Sequence, residues 1–354
     1  MTKEMLEKIK EKFNKYQDSL VLQQADLSLK SISDMVTSKA ININPEYQRR
    51  KRWTSKKESD LIESFILNIP VPPIYLAEDA YGTYSVIDGK QRITAIHNFL
   101  SGKLKLEKVE RFKEIDGVYF EDLPDTIKNA LSIRPYLRVV TLLKQSDKNL
   151  KYEVFLRLNK AGVPLNSQEI RNVAFMGDFN NLLLRLSEND NFKKILKVKN
   201  DSKIYKEMID IQFVLRFFTM KEKWEKFPNN MDVAMDDFMK NNYQKSQQQV
   251  DKFELDFNRA FDACLGIWGD KTFLKPNGTK QVLQGFYDIQ MVCLSLLNDV
   301  QLKKAIDNKG KVQELLEDEV NKNDKFSKAL TQFTSNTKNV KYRIETFLNL
   351  LKAL

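Results

Sequence analysis

The sequence predicts an α+β protein: a mixed α/β N-terminal region followed by an all-α C-terminal one. Three observations carry that prediction. The β-branched and apolar runs Ile74–Ala77, Tyr84–Ile87 and Leu137–Leu143 all fall before Met176. From Asp178 to Leu354 the apolar residues recur at helical spacing, with hardly any strand signal. At Tyr84–Phe99 a β-branched run passes through Asp88-Gly89 into a helical pattern, Ile93, Ile96, Phe99 and Leu100.

Taken in order, Met1 to Gln17 reads as a charged amphipathic helix without the apolar centre of a signal peptide. Leu27 to Ile43 alternates apolar runs with polar breaks, predicting a strand or two and a short helix. Pro45–Arg49 reads as extended. Ser55 with Glu58 three residues on has capping-box spacing, and the helix behind it carries Leu61, Ile62, Phe65, Ile66 and Ile69 on one face. Pro70, Pro72 and Pro73 end it. The first two strands are joined by a turn over Asp79–Thr83 that contains Gly82. The next helix spans about Lys90 to Leu100 and stops at Gly102. Leu150–Leu158 looks helical, and Asn159–Leu165 is a loop. Asn166–Glu169 again has capping-box spacing before Ile170–Met176, which makes Glu169 a cap residue. Beyond Met176 helices are expected over Phe179–Leu186, Met208–Met220, Val250–Leu265, Val282–Leu297 and Val340–Leu351, with a dividing loop at Gly269–Gly278. The expected organisation is a helical extension over 1–26, a mixed domain over 27–176 and a helical domain over 177–354.

Composition narrows the function. The chain has 354 residues, 42% of them hydrophobic, with 22 Phe and 12 Tyr, enough for a sizeable core. No run approaches the ~18 apolar residues of a membrane span, so the protein is expected to be cytoplasmic and without a membrane partner. One histidine, His97, and two cysteines, Cys264 and Cys293, cannot supply a four-ligand zinc site. They also leave no room for a histidine-rich nuclease centre. The cysteines read as buried apolar residues and His97 as structural. Net charge is +10, divided as +6 over 1–176 and +4 over 177–354, which is compatible with nucleotide or nucleic acid without demanding either. Arg49, Arg50, Lys51, Arg52, Lys56 and Lys57 crowd into nine residues beside Trp53.

The chemistry concentrates in Asp88-Gly89-Lys90-Gln91-Arg92. A strand–glycine–helix junction leaves backbone N–H groups unpaired where the helix dipole favours an anion. Gly89 permits close approach of a ligand, and Arg92 in the first helical turn can fork onto phosphate oxygens. Asp88 is suited to hold a metal ion, to orient water or simply to cap the helix. Asp-Gly as an ordinary tight turn and Arg92 as a surface charge is the competing reading of the pentapeptide alone.

Three ordered segments extend the pattern. They are Pro45-Glu-Tyr-Gln-Arg49 with Trp53, Leu61–Phe65 and Ile69–Tyr75; Val86–Arg92; and Phe155–Asn159 with Gly162, Pro164-Leu165 and Gln168–Asn172. Together they resemble the N-terminal domain of GmrSD-type modification-dependent restriction systems, over roughly Leu27–Met176. The resemblance implies a ParB/sulfiredoxin-like fold and an Asp-Gly-Gln-Gln-Arg signature tied to nucleotide-dependent activity in defence against foreign DNA. Lys90 departs from that signature by replacing its first Gln. Carried onto this sequence, the resemblance implies that Gly89, Lys90, Gln91, Arg92, Gln48, Arg49 and Asn159 bind nucleotide. Asp88 and Arg92 are the expected catalytic pair, with Asp88 the metal ligand for Mg²⁺. Arg50, Lys51 and Arg52 are candidates for nucleic-acid backbone contact, with a solvated basic loop as the alternative. The helical half has no histidine and is not an HNH-type nuclease domain, so a cleaving partner in another chain, and a homo-oligomer, are both compatible with the sequence. The expected function is a nucleotide-binding, NTP-hydrolysing subunit of a prokaryotic restriction or anti-phage system. A non-catalytic nucleotide-gated switch that binds DNA or a partner is the rival.

Overall fold

The structure is a computed structural model that describes residues 2–43, 53–147, 153–154, 157–158, 166–199, 202–276, 278 and 281–354. Gln48, Arg49, Arg50, Lys51, Arg52 and Asn159 lie outside the described residues, as do the expected extended segment Pro45–Arg49 and most of Leu150–Leu165. The chain divides into two compact units, Met1–Asn166 and Ser167–Leu354. That division falls ten residues before the boundary expected from the change of texture at Met176.

The first unit is built on a five-stranded mixed sheet: β1 (Leu22–Ser28), β2 (Ile41–Asn42), β3 (Ile74–Ala80), β4 (Thr83–Asp88) and β5 (Tyr136–Leu142), in the order β1-β5-β3-β4-β2. β1 and β5 are antiparallel, β5 and β3 parallel, β3 and β4 antiparallel, and β4 and β2 parallel. The central strands β3 and β4 bury consecutive residues, whereas β5 alternates over Tyr136–Val139, as a strand does with one face towards a core. β1 begins at Leu22, so the sheet starts inside what the sequence marks as an extension. Helices α1 (Lys3–Asp18), α2 (Leu29–Thr37), α3 (Ser55–Ile66), α4 (Lys90–Leu100) and α5 (Asp125–Ile133) accompany it.

The core follows the predicted apolar faces. Leu61, Ile62 and Phe65 of α3 and Ile93, Ile96 and Phe99 of α4 join Ile74, Leu76, Val86, Leu137 and Val139 of the sheet in one buried cluster. Trp53 packs against this cluster from its edge. Two details differ from the sequence reading. Thr54, not Ser55, caps α3, its hydroxyl accepting from the Lys57 N–H while its backbone stays extended. Strand β3 runs on to Ala80, which shortens the turn to Tyr81-Gly82. Glu63 is buried and its Oε1 accepts the N–H groups of Arg111 and Phe112 at 2.6 and 2.7 Å, tying down the loop behind α4. Tyr16 and four other apolar side chains of α1, Met5, Leu6, Ile9 and Phe13, are exposed.

In the second unit the regular structure of the described residues is helical apart from one bridge, Leu274 to Val282. Phenylalanines from Phe179, Phe218, Phe238, Phe253 and Phe257 pack edge-to-face and tilted around the long helix Gln247–Trp268. Cys264 and Cys293 are free and buried, as expected of apolar fillers. Burial pushes both thiols well up. The opening helix of this unit, α6 (Ser167–Ala174), begins where the Asn166–Glu169 spacing puts it. Its Arg171 is fully buried and bridges Asp232 and Asp236. No helix among the described residues is long and apolar enough to cross a membrane.

Candidate functional site

The junction between β4 and α4 is formed by three local causes. First, the pairing of β3 with β4 slips between Tyr75 and Leu76: Tyr75 faces Asp88 while Leu76 faces Val86, leaving Ile87 as the extra residue of a bulge. A bulge bends a strand and re-aims the side chains that follow it. Second, Gly89 takes the left-handed conformation, φ +98°, and is the N-cap of α4 without any side chain to offer its first N–H groups. Third, Ile74 at the start of β3 fills the space next to Gly89: a Cβ there would lie 2.4 Å from Ile74 Cγ2. The missing Cβ therefore makes room for the protein's own core, where the sequence reading gave that room to a ligand.

Arg92 folds back across this turn. Its Nη2 donates to Asp88 Oδ2 at 2.6 Å and to the Pro73 carbonyl at 3.2 Å. The guanidinium side chain is 13% exposed and that of Asp88 41%. Arg92 Nε is buried and has no hydrogen-bond partner among the described residues. A buried donor without a partner costs roughly 1–3 kcal/mol, and here it sits beside a helix start that lacks a side-chain cap. The two residues expected to share the chemistry are thus already in contact, one holding the other by charge.

Gln91 has a mechanical role. Its Oε1 accepts the backbone N–H of Trp53 at 3.3 Å, so the first turn of α4 is tied to the residue that closes the basic run Arg49–Arg52. That bond joins positions 38 apart in the chain. Neither it nor the Pro73 contact carries a sequence signal, because both use backbone atoms that any residue would supply. The Asp88–Arg92 pair does carry one, the i, i+4 spacing of opposite charges. His97 lies in the last turn of the same helix. Its Nδ1 meets the Ser33 hydroxyl at 3.1 Å, and burial together with Lys103 lowers its pKa. It lies near Ser33 of α2, away from the junction, which suits the structural role expected of it.

Among the described residues no group of three or more His, Cys, Asp or Glu side chains converges. Asp88 is the carboxylate in contact with Arg92, a donor that suits Mg²⁺ held chiefly by substrate phosphates and water, without a dedicated protein cage. The arrangement can accept an anion at the helix start, present a guanidinium to it, and keep one carboxylate beside both. Comparison with known proteins adds a single finding. No curated protein and no solved structure matches the chain. Residues 32–176, which contain the whole β4–α4 junction, match the family model described as GmrSD restriction endonuclease, N-terminal domain.

Proposed function

We propose that the chain is a nucleotide-binding, NTP-hydrolysing, ParB-like subunit of a prokaryotic DNA restriction or anti-phage system, working in the cytoplasm. The observation that carries this reading is the start of α4, where a glycine-capped helix N-terminus meets a nearly buried arginine with an unpartnered Nε. Phosphate oxygens satisfy both needs at once, through the helix dipole and through the guanidinium. In the absence of ligand Asp88 neutralises Arg92. A phosphate at the helix start competes with Asp88 for that guanidinium and leaves the carboxylate to a divalent cation or to water. Mg²⁺, when bound, would be held by Asp88 and the phosphates and would neutralise their charge. Lys90, Gln48, Arg49 and Asn159 complete the nucleotide contacts in this reading. Arg50, Lys51 and Arg52 meet the DNA backbone in this reading. A separate cleaving subunit supplies the nuclease.

The test is phosphate release. Purified protein incubated with each NTP and Mg²⁺, with and without DNA, should liberate phosphate, and Asp88→Ala and Arg92→Ala should each abolish it. Asp88→Ala should still bind nucleotide, since it releases Arg92 from its intramolecular partner. A second reading, a nucleotide-gated switch without turnover, is favoured by the lack, among the described residues, of a group of three or more His, Cys, Asp or Glu side chains that could hold a metal ion at the junction. Tight nucleotide binding with no phosphate above background in any combination sinks the hydrolase reading and leaves the switch.

A further inference from the structure

The second unit holds a buried charge cluster that the reading above does not use. Asp288 is fully buried and accepts both Nε and Nη2 of Arg216, each at 2.7 Å, on Oδ1 and Oδ2 respectively. A second buried arginine, Arg343, donates Nη2 to the same Oδ2 and Nη1 to the Ala329 carbonyl at 3.0 Å. Two guanidinium groups thus share one carboxylate, and the dry interior carries one uncompensated positive charge. Burial lowers the pKa of Arg343, and Arg216 lowers it further, as expected of two like charges held together.

Arg216 also lines a cavity of about 180 Å³, together with Gln212, Gln284, Ser335 and Asp232. The side chain of Arg216 is only 5% exposed, and its Nη1 has no hydrogen-bond partner among the described residues. Gln284 opens the buried helix Gln284–Ser295, whose N-cap Leu283 provides no side-chain hydrogen bond. The one acidic group in the lining, Asp232, is 57% exposed and already paired at 2.7 Å with the buried Arg171. Its charge is therefore neutralised locally and screened by water, whereas the excess positive charge behind Arg216 is neither. From these contacts we infer that the cavity is a binding site for a small oxyanion of phosphate type, held by the spare Nη1 of Arg216 and the amide and hydroxyl donors of Gln212, Gln284 and Ser335. The site is separate from the β4–α4 junction and does not depend on what that junction binds.

The anion could arrive as free phosphate or as the phosphoryl group of a nucleotide, and calorimetric titration separates these. The full-length chain carrying Arg92→Ala, which silences the junction, is titrated with inorganic phosphate, with a nucleoside monophosphate and with chloride at matched ionic strength. Phosphate should bind and chloride should not. Binding of the monophosphate at equal or greater strength assigns the site to phosphoryl groups, and its failure to bind assigns it to the free ion. Arg216→Met, which leaves a balanced Asp288–Arg343 pair, should weaken phosphate by about tenfold or more. Should that variant fail to fold, a change at an exposed position of the rim gives the same answer: Gln284→Glu should weaken phosphate by about threefold. Equal heats for phosphate and chloride, or affinity unmoved by all of these substitutions, overturns the proposal.

Discussion

At the scale of single residues, the junction turns on one glycine that the fold itself requires. Gly89 is required by its positive φ and by Ile74, which leaves no room for a methyl group. Gly89→Ala should therefore cost about 2–4 kcal/mol, the sum of a left-handed alanine and an overpacked core, read from urea unfolding. The double variant with Ile74→Ala should be less destabilised than the two single costs added together, by about 1 kcal/mol or more, if the clash is the cause. Additivity would point instead to backbone strain alone. His97 offers a cleaner titration, because it is the only histidine in the chain. Its pKa is lowered in the folded state by burial, then by Lys103, so the unfolded chain binds the extra proton first. Its contribution to stability is complete above the unfolded value of about 6.5 and is lost as the pH falls through the lower folded value. Stability should thus decline on acidification below about pH 6.5, and His97→Gln should remove that part of the decline. Proton NMR of the single imidazole should show a midpoint below the ordinary histidine value; one at or above it contradicts this account.

Elements explain why the site is where it is. β4 and α4 are each evident in the sequence, the first from its β-branched run and the second from Ile93, Ile96 and Phe99. Their junction owes its geometry to β3, which contributes the bulge opposite Ile87, the Pro73 carbonyl and the Ile74 side chain. Pairing across strands cannot be read from either strand alone, so these contacts were not legible beforehand. The helices of the second unit raise a parallel case. Arg216, Asp288 and Arg343 come from three different helices, 72 and 55 residues apart along the chain, and each alone reads as a surface charge. Asp288→Ala would leave two buried cations facing each other and should cost about 3–5 kcal/mol. Arg216→Met leaves one balanced pair and should cost clearly less. Chemical denaturation of both variants checks the order, and the reverse order would mean the excess charge is not felt in the interior.

For the molecule as a whole, the charge excess is modest and spread, so any nucleic-acid binding must depend on local cationic runs. If Arg50, Lys51 and Arg52 each neutralise a phosphate, replacing all three with alanine should reduce the slope of log affinity against log salt by about 2.7 on duplex DNA. Fluorescence anisotropy over a salt series measures it. An unchanged slope would return the run to a solvated basic loop. The division into two units also bears on the family match, which ends at residue 176 while the first compact unit ends at Asn166. Helix α6 lies in that overlap, and its Arg171 is bound by Asp232 and Asp236 within the second unit. The sequence reading placed this helix with the mixed domain because its capping signal follows the Phe155–Asn159 motif. Packing assigns it to the helical unit, because a buried guanidinium belongs where its carboxylates are.

The sequence by itself determined the order of textures, the strand–glycine–helix junction and the placement of Asp88, Gly89 and Arg92 at it, because periodicity, glycine and i, i+4 charge spacing are local properties of the chain. Tertiary structure alone decided that Arg92 reaches the Pro73 carbonyl, that Gln91 holds the backbone of Trp53, and that Arg216 and Arg343 share a single aspartate. Each of these is a contact between distant positions, set by which faces pack together and by the need to give every buried charge a partner.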